Sequence, residues 1–508
     1  MAGLWPPFSW LLLLAVLLLH KLCSTQDDDA SPRIAIIGAG LSGASSAYFL
    51  RQLFGQETQI DVFEASRVGG RAAVININGQ EYEAGASIIH NKNRYMVEFA
   101  SKFNKTEDRL SHSASFIGLY ADSGMVFETS SWQAVSLAKL LWRYGLDIYT
   151  LREWTRHSVM TKFDRIYEFQ DKGMAFTTLE DMLRAMSEDI LNMTRYSLQD
   201  VLLDAGLSQR FIDELAMAAV RNNYGQTTNA HGFVGAVSLV GAEPGLWSVR
   251  GGNKQIAVSL LQESMASVLE ATVTSVVLMK DQLGTGSVTY QVQYEKAHSA
   301  SSSNTNSQEY DIVVIATPIN GTKKQISFVD FPGPVTAFLQ DYHRTVAMFV
   351  QGRINSTTFK LSSQDEFPPQ LFTLSPDLFF NSVGKQSPVN PDSRPEVARE
   401  TSDAVWKTFL NKVPTEEEIS ELFESRTDLR LVDWLAYPEY RPGADLPPFM
   451  LYDRLYYVNA IESAAAAMEM NVIGARNVAL LAFNQWHGHF DKIDEVNLQA
   501  SEKVHSEL

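Results

Sequence analysis

Hydrophobic and polar positions change their period several times along this chain, and the changes mark out its parts. Ile34–Ile37 is a short unbroken apolar run, the pattern of a strand buried on both faces. Ala44–Leu53 is rich in small and apolar residues and predicts a helix. Gln59–Phe63 predicts a second strand, ending at Glu64. Residues 96–245 read as mostly helical and hold many aromatics, with an amphipathic helix over Ser131–Tyr144. Strand patterns return after Gly251-Gly252-Asn253. Ala271–Val277 and Ser287–Glu295 alternate, and Tyr310–Thr317 is a buried-type run. Ser299–Gln308 between them is polar and predicts a hairpin loop. A proline-rich stretch, Phe367–Pro395, predicts loops, Leu455–Ala460 a last strand and Ala464–Trp486 an alanine-rich last helix.

The first strand and helix are joined by Gly38, Ala39, Gly40 and Gly43, in G-x-G-x-x-G spacing. The first glycine permits a tight turn, the second lets a pyrophosphate approach the backbone, and the third lets helix and strand pack closely. The helix start offers free N–H groups and the positive end of a dipole. Glu64 lies where a carboxylate accepts ribose hydroxyls. With 30 glycines in the chain the spacing alone is weak. Strand, turn, helix, second strand and acid in this order predict a dinucleotide site.

Composition narrows the setting. With 508 residues the chain predicts two domains, and 45% hydrophobic and 20% charged residues are ordinary for a large core. A net charge of -17 argues against a nucleic-acid partner. Leu11–Leu19 reads as a signal-peptide core, although no lysine or arginine precedes it. The single cysteine, Cys23, falls inside that leader, so the mature chain has neither a disulfide nor a cysteinyl link to a cofactor. Behind a leader, Asn104, Asn192, Asn320 and Asn355 become candidate glycosylation sites. The expected location is the secretory-pathway lumen, with lysosome first and secretion or retention in the endoplasmic reticulum as alternatives. The last suggestion comes from the retrieval-like tail His505-Ser506-Glu507-Leu508. The ten histidines show no metal-ligand spacing, so no metal is expected.

Further motifs carry a family resemblance. Arg67-Val68-Gly69-Gly70-Arg71 resembles the glycine-doublet signature of FAD oxidoreductases of the amine oxidase and phytoene desaturase superfamily. Flanking arginines neutralise pyrophosphate charge there. Glu83-Ala84-Gly85-Ala86 resembles the segment that passes near the flavin, and Asp311–Pro318 a strand re-entering the FAD domain. Glu462 before the last helix resembles that superfamily's C-terminal FAD motif, with Ala460 in place of a frequent glycine. More specific stretches are Glu81–Gly85 with Ile89-His90, Leu141–Gly145, Asn223–Gln226, Phe233–Leu239, Leu246–Val249, Trp434–Pro438, and Asp453–Tyr457 running into Ala464–Met470. By these the chain resembles the prenylcysteine oxidase family over nearly its whole length after the leader.

The resemblance implies an α/β fold: a split Rossmann-type FAD-binding domain with a mixed α+β substrate domain built from insertions. Residues 26–95, 246–320 and 450–490 would form the cofactor domain, 96–245 and 321–449 the substrate domain, and 491–508 a tail. Val273, on the alternating strand, and Glu462 join the glycines, Glu64, Arg67 and Arg71 as expected cofactor-binding residues. The implied activity is oxidation of S-farnesyl- or S-geranylgeranyl-cysteine by molecular oxygen through FAD. Alternatives are another FAD amine or polyene oxidase, or a non-catalytic flavin-binding lipid carrier. Hydride loss needs no strong base, so the catalytic candidates are few: His90, Tyr224 and His231. Trp132, Trp142 and their helical neighbours are read first as core packing; the other readings are a substrate chamber or a peripheral membrane or lipoprotein contact. Oligomeric state is open.

Overall fold

The computed structural model describes residues 31–105, 109–112, 116–130, 132–241, 244–279, 288–296, 305–319, 326–335, 341–391 and 403–496. The leader with Cys23, Asn320 and the last twelve residues of the tail lie outside these.

The chain threads one large sheet three times. Its centre is five parallel strands in the order Ser267–Met279, Gln59–Glu64, Arg33–Ile37, Ile312–Ile315 and Leu455–Tyr457. Antiparallel strands extend both edges, Thr289–Lys296 and Asn306–Tyr310 on one side and Met450–Tyr452 on the other. Ile312–Ile315 is buried at every residue, as a parallel strand covered on both faces must be. The helix Leu41–Phe54 is buried from Leu41 to Arg51, which is why small residues such as Ala44 and Ala47 occupy it. It packs against Lys254–Ser264 and the long last helix Met468–Trp486.

A second, seven-stranded sheet is built from both intervening stretches. Phe423–Pro438, Tyr342–Ile354, Val405–Leu410, Phe380–Lys385 and Gln370–Thr373 come from the second, Ile117–Ala121 and Gly124–Glu128 from the first. They join where Gln370–Thr373 pairs in parallel with Ile117–Ala121. The rest of residues 132–241 is a helical cap, as the spacing predicts.

Several boundaries differ from the sequence reading. The proline-rich stretch Phe367–Pro395, expected as loops, contributes Gln370–Thr373 and Phe380–Lys385 to the second sheet. The strand expected over Leu455–Ala460 ends at Tyr457, where a 3-10 turn over Val458–Ser463 takes over. Two further differences have a tertiary reason. Tyr310–Thr317 is not one strand: it breaks at Asp311, whose carboxylate takes the Arg33 N–H at 2.8 Å. The hairpin partner is therefore Asn306–Tyr310, part of the expected loop. Ala464–Ala467 is not helical despite its alanines. The Tyr440 hydroxyl accepts the Ala466 N–H at 2.8 Å, and the Tyr224 hydroxyl donates to the Ala466 carbonyl at 3.3 Å. Those partners fix Ala466, Ala467 is extended, and the helix starts at Met468.

Glu469 in its first turn is buried and caps another helix, Arg94–Lys102, by accepting the N–H groups of Tyr95 (2.8 Å) and Met96 (3.0 Å). Tyr167 donates its hydroxyl to the same carboxylate. Burial outweighs these contacts and pushes the Glu469 carboxyl up to about 7. A raised carboxyl favours the folded state below its unfolded value, and that advantage is lost as pH rises through the folded one. We therefore expect Glu469→Gln to gain in Tm relative to the parent as pH goes from about 4.5 to about 7, by at least ~2 °C, and to gain nothing further above that. A pH-independent difference in thermal unfolding refutes this.

Candidate active site

A cavity of about 1600 Å³ runs between the two sheets and the helical cap. This exceeds the roughly 300–1,000 Å³ of a single small-ligand pocket. One end is made by the glycine turn. Gly38 has φ +108°, and a Cβ there would meet the Ala316 carbonyl oxygen at 2.8 Å. Gly43 faces away from the cavity: a Cβ would lie 1.9 Å from the Gly38 carbonyl oxygen, so it serves close packing of helix on turn. Gly40 borders the cavity opposite Gly70, and the Gly69 N–H donates to the Ala39 carbonyl at 2.9 Å. Gly69 and Gly70 both have positive φ. Ala39 itself is buried.

Glu64 knots this end together. One carboxylate oxygen accepts the Ala39 N–H at 2.8 Å; the other accepts those of Ser66 (2.8 Å) and Arg67 (2.9 Å). It still borders the cavity, as do Arg67 and Arg71. No acidic side chain occupies the first turn of Leu41–Phe54, so nothing there repels an anion. Glu462 stands behind Arg71 rather than on the wall: it is fully buried, ion-paired to Arg71, and hydrogen-bonded by Asn459 (2.7 Å) and the Tyr342 hydroxyl (3.2 Å). Val273 is buried in its strand and does not reach the cavity.

The middle of the cavity is polar and holds two residues that motif reading did not single out as reactive. Lys407, on Val405–Leu410, is buried with its ammonium 4.6 Å from the Phe409 ring centre. It donates to the Glu83 carbonyl (3.1 Å) and the Ser87 hydroxyl (3.2 Å), and burial brings it down to about 8. The Glu83 side chain accepts the Asn253 N–H at 2.6 Å through one oxygen, and burial pushes its carboxyl up to about 7. Its other oxygen is buried without a protein partner, as are Ser238 Oγ, Asn459 Oδ1 and Asn471 Oδ1, all from residues on the cavity wall. Buried polar atoms are rarely left unpaired, so these four call for a ligand.

The catalytic candidates separate. His90 borders the cavity, with Nδ1 accepting the Lys92 N–H at 3.0 Å. Tyr224 borders it too, edge-on to Tyr437 and Tyr440, and burial keeps its hydroxyl neutral. His231 does not reach it. Its Nδ1 caps the helix Gly232–Val240 by accepting the Val234 N–H, so Nε2 carries the proton and donates to the Ser463 carbonyl at 3.1 Å. Burial lowers it to about 4, which keeps it neutral. Of the sequons, Asn104 is exposed, and Asn192 and Asn355 are half-buried. Among the described residues no group of acids and histidines could hold a metal ion.

The far end is apolar, walled by Leu119, Val159, Met160, Phe163, Leu215 and Phe233 from the first intervening stretch. A split nucleotide-binding sheet, a glycine cradle, and a polar waist opening onto an apolar chamber define a flavin-dependent oxidoreductase. The fold agrees: cyclohexylamine oxidase from Brevibacterium oxydans IH-35A superposes with a TM-score of 0.57 over 90% of this chain and all of that one, at 14% identity. A model of NAD(P)-binding Rossmann-like domains matches residues 36–103.

The particular family follows from the rest of the chain. The prenylcysteine lyase model matches residues 127–495. Prenylcysteine oxidase 1 of Bos taurus is 40% identical over 94% of this chain and 92% of that protein. Prenylcysteine oxidase 1-like of Mus musculus is 38% identical over 98% and 99%. The chain belongs to the prenylcysteine oxidase family.

Proposed function

We propose that this chain is an FAD-dependent thioether oxidase that converts S-prenyl-L-cysteine, water and oxygen to an isoprenoid aldehyde, cysteine and hydrogen peroxide. The observation that carries it is the division of one cavity into a glycine-lined anion end, a polar waist and an apolar chamber. FAD suits the first of these. Gly40 and Gly70 leave room for a pyrophosphate, Arg67 and Arg71 supply charge, and Glu64 suits ribose hydroxyls. A relative of 40% identity bears the substrate in its name.

When bound, FAD supplies the acceptor for the hydride lost from the carbon beside sulfur and hands the electron pair on to oxygen. The chain's residues do the rest. The apolar chamber takes the prenyl tail and keeps water away from it. The carbon that loses hydride becomes a cation stabilised by sulfur and by the neighbouring double bond. Water then adds there and releases a proton. Glu83, with one oxygen free of protein partners, takes that proton and returns it to sulfur as the carbon–sulfur bond breaks. The hydroxyl proton given up as the aldehyde carbonyl forms passes back to the Glu83 carboxylate and on to solvent, matching the proton taken up when oxygen becomes hydrogen peroxide. Lys407 holds the backbone carbonyl of Glu83 and adds positive charge beside its carboxylate.

The test is a half-reaction. Purified yellow protein mixed anaerobically with farnesylcysteine should lose its flavin colour, and admitted air should restore it with hydrogen peroxide formed. Bound flavin that no prenyl thioether bleaches would refute the proposal.

A further inference from the structure

The helix Gln133–Tyr144 is inverted in its exposure. Its packed side holds Leu140, which meets Leu119, Phe127 and Ala218, and Tyr144, edge-on to Phe127 and Phe211. On a surface helix the opposite side should be polar. Here it carries Val135, Ala138 and Trp142 at i, i+3 and i+7, with Trp132 just before the first turn. Trp142 is 92% exposed and Trp132 75%. Leu146 and Tyr149, in the next turns, are exposed as well. The expectation that these aromatics are core packing thus fails for the outer face.

Charge says what covers this face. Residues 132–163 hold Lys139, Arg143, Arg152, Arg156 and Lys162 against Asp147 and Glu153. Glu214 pairs Arg143 and Asp189 pairs Lys162, so Lys139, Arg152 and Arg156 are the cations this face offers, in a chain of -17. Exposed tryptophan among basic residues is the composition of a helix lying in the headgroup layer of an anionic bilayer. No helix among the described residues is long and apolar enough to cross a membrane.

Position says why. Leu119 and Ala218, under Leu140, are themselves walls of the apolar chamber. The same helical run continues through Asp147–Trp154 and the π-turn Thr155–Met160, whose Val159 and Met160 also line it. One layer of side chains therefore separates the exposed stripe from the place proposed for the prenyl tail. A prenyl chain of about fifteen carbons, at ~0.8 kcal/mol per buried CH₂, resides in lipid rather than in water.

We infer that Trp132, Val135, Trp142 and Leu146 form a peripheral docking surface for anionic membranes, from which the apolar chamber is loaded. The loading step rests on the proposed substrate; the docking does not. The test uses protein purified from expressing cells and phosphatidylcholine vesicles with or without phosphatidylserine. Wild type should float with the phosphatidylserine vesicles and show blue-shifted tryptophan emission. Trp132→Ser/Trp142→Ser should lose at least tenfold in vesicle affinity, about 1.4 kcal/mol, with unchanged Tm. Arg152→Glu/Arg156→Glu should weaken only the phosphatidylserine-dependent part. Turnover of farnesylcysteine held in vesicles should fall in the tryptophan variant, while turnover of a water-soluble five-carbon prenyl thioether stays within about twofold. A tryptophan variant that floats like wild type overturns the inference. So does a wild type that binds neither vesicle, including one that forms a dimer broken by the same substitutions. Flotation requires no turnover, so failure of the thioether chemistry would leave the docking result standing.

Discussion

Gly40→Ala is expected to give a protein of unchanged fold that cannot hold flavin. Gly40 has φ −68° and ψ −176°, which alanine adopts without strain. A Cβ there finds only the Gly70 Cα, at 4.0 Å, an ordinary contact. The protein thus has room for the methyl group; the pyrophosphate does not. The added carbon stands where the phosphate must approach the backbone, at the helix start that would hold it. A loss of about 3 kcal/mol, at least a hundredfold in affinity, is the expected scale. The Tm should match that of wild type stripped of flavin, because only the ligand's contribution is missing. Gly43→Ala makes the contrast. Its Cβ would overlap the Gly38 carbonyl, so it should damage the turn itself and yield little folded protein. Absorbance at the flavin band and thermal unfolding separate the two cases. Should Gly40→Ala bind flavin with wild-type affinity, the dinucleotide does not lie at this turn.

The turn was legible in the sequence because all its causes are local. Strand, glycines, helix and Glu64 lie within 32 residues and dictate one another through backbone sterics. Burial of the central strands was legible too, since an unbroken apolar run suits only a covered sheet. What was not legible depends on contacts distant in the chain. Arg71 and Glu462 pair across 391 residues, and Lys407 reaches Glu83 across 324. Nothing in the apolar surroundings of Lys407 on its strand marks it as facing a carboxylate. His231 looked like a site residue because histidine in a polar stretch carries chemistry. Its cap on the Val234 N–H is local, but the partner that occupies its other nitrogen, the Ser463 carbonyl, comes from 232 residues away. The alanines at 464–467 were misread for the same reason: propensity favours helix, and two tyrosines from elsewhere override it.

Glu83→Gln should separate two halves of the reaction that the wild type runs together. Glutamine keeps the shape and can still accept the Asn253 N–H, so flavin binding should persist. Anaerobic bleaching by farnesylcysteine should slow less than tenfold, because hydride loss needs no base. Aldehyde release should fall at least a hundredfold, ~2.7 kcal/mol of barrier, within the usual range for a lost proton carrier. The pH dependence gives the sign. Glu83 acts as a carboxylate, and its carboxyl lies at about 7, so the wild-type rate of aldehyde release should decline as pH falls through that value. In Glu83→Gln this acid limb should vanish. Lys407→Met keeps the volume but removes the cation that favours the charged carboxylate. The Glu83 carboxyl should then rise further, and the limb should move to higher pH. A residue with only a packing role would change none of these limbs. If both variants retain the wild-type pH profile and aldehyde release within a few-fold, the proton is carried elsewhere on the cavity wall, and His90 is the next residue to replace.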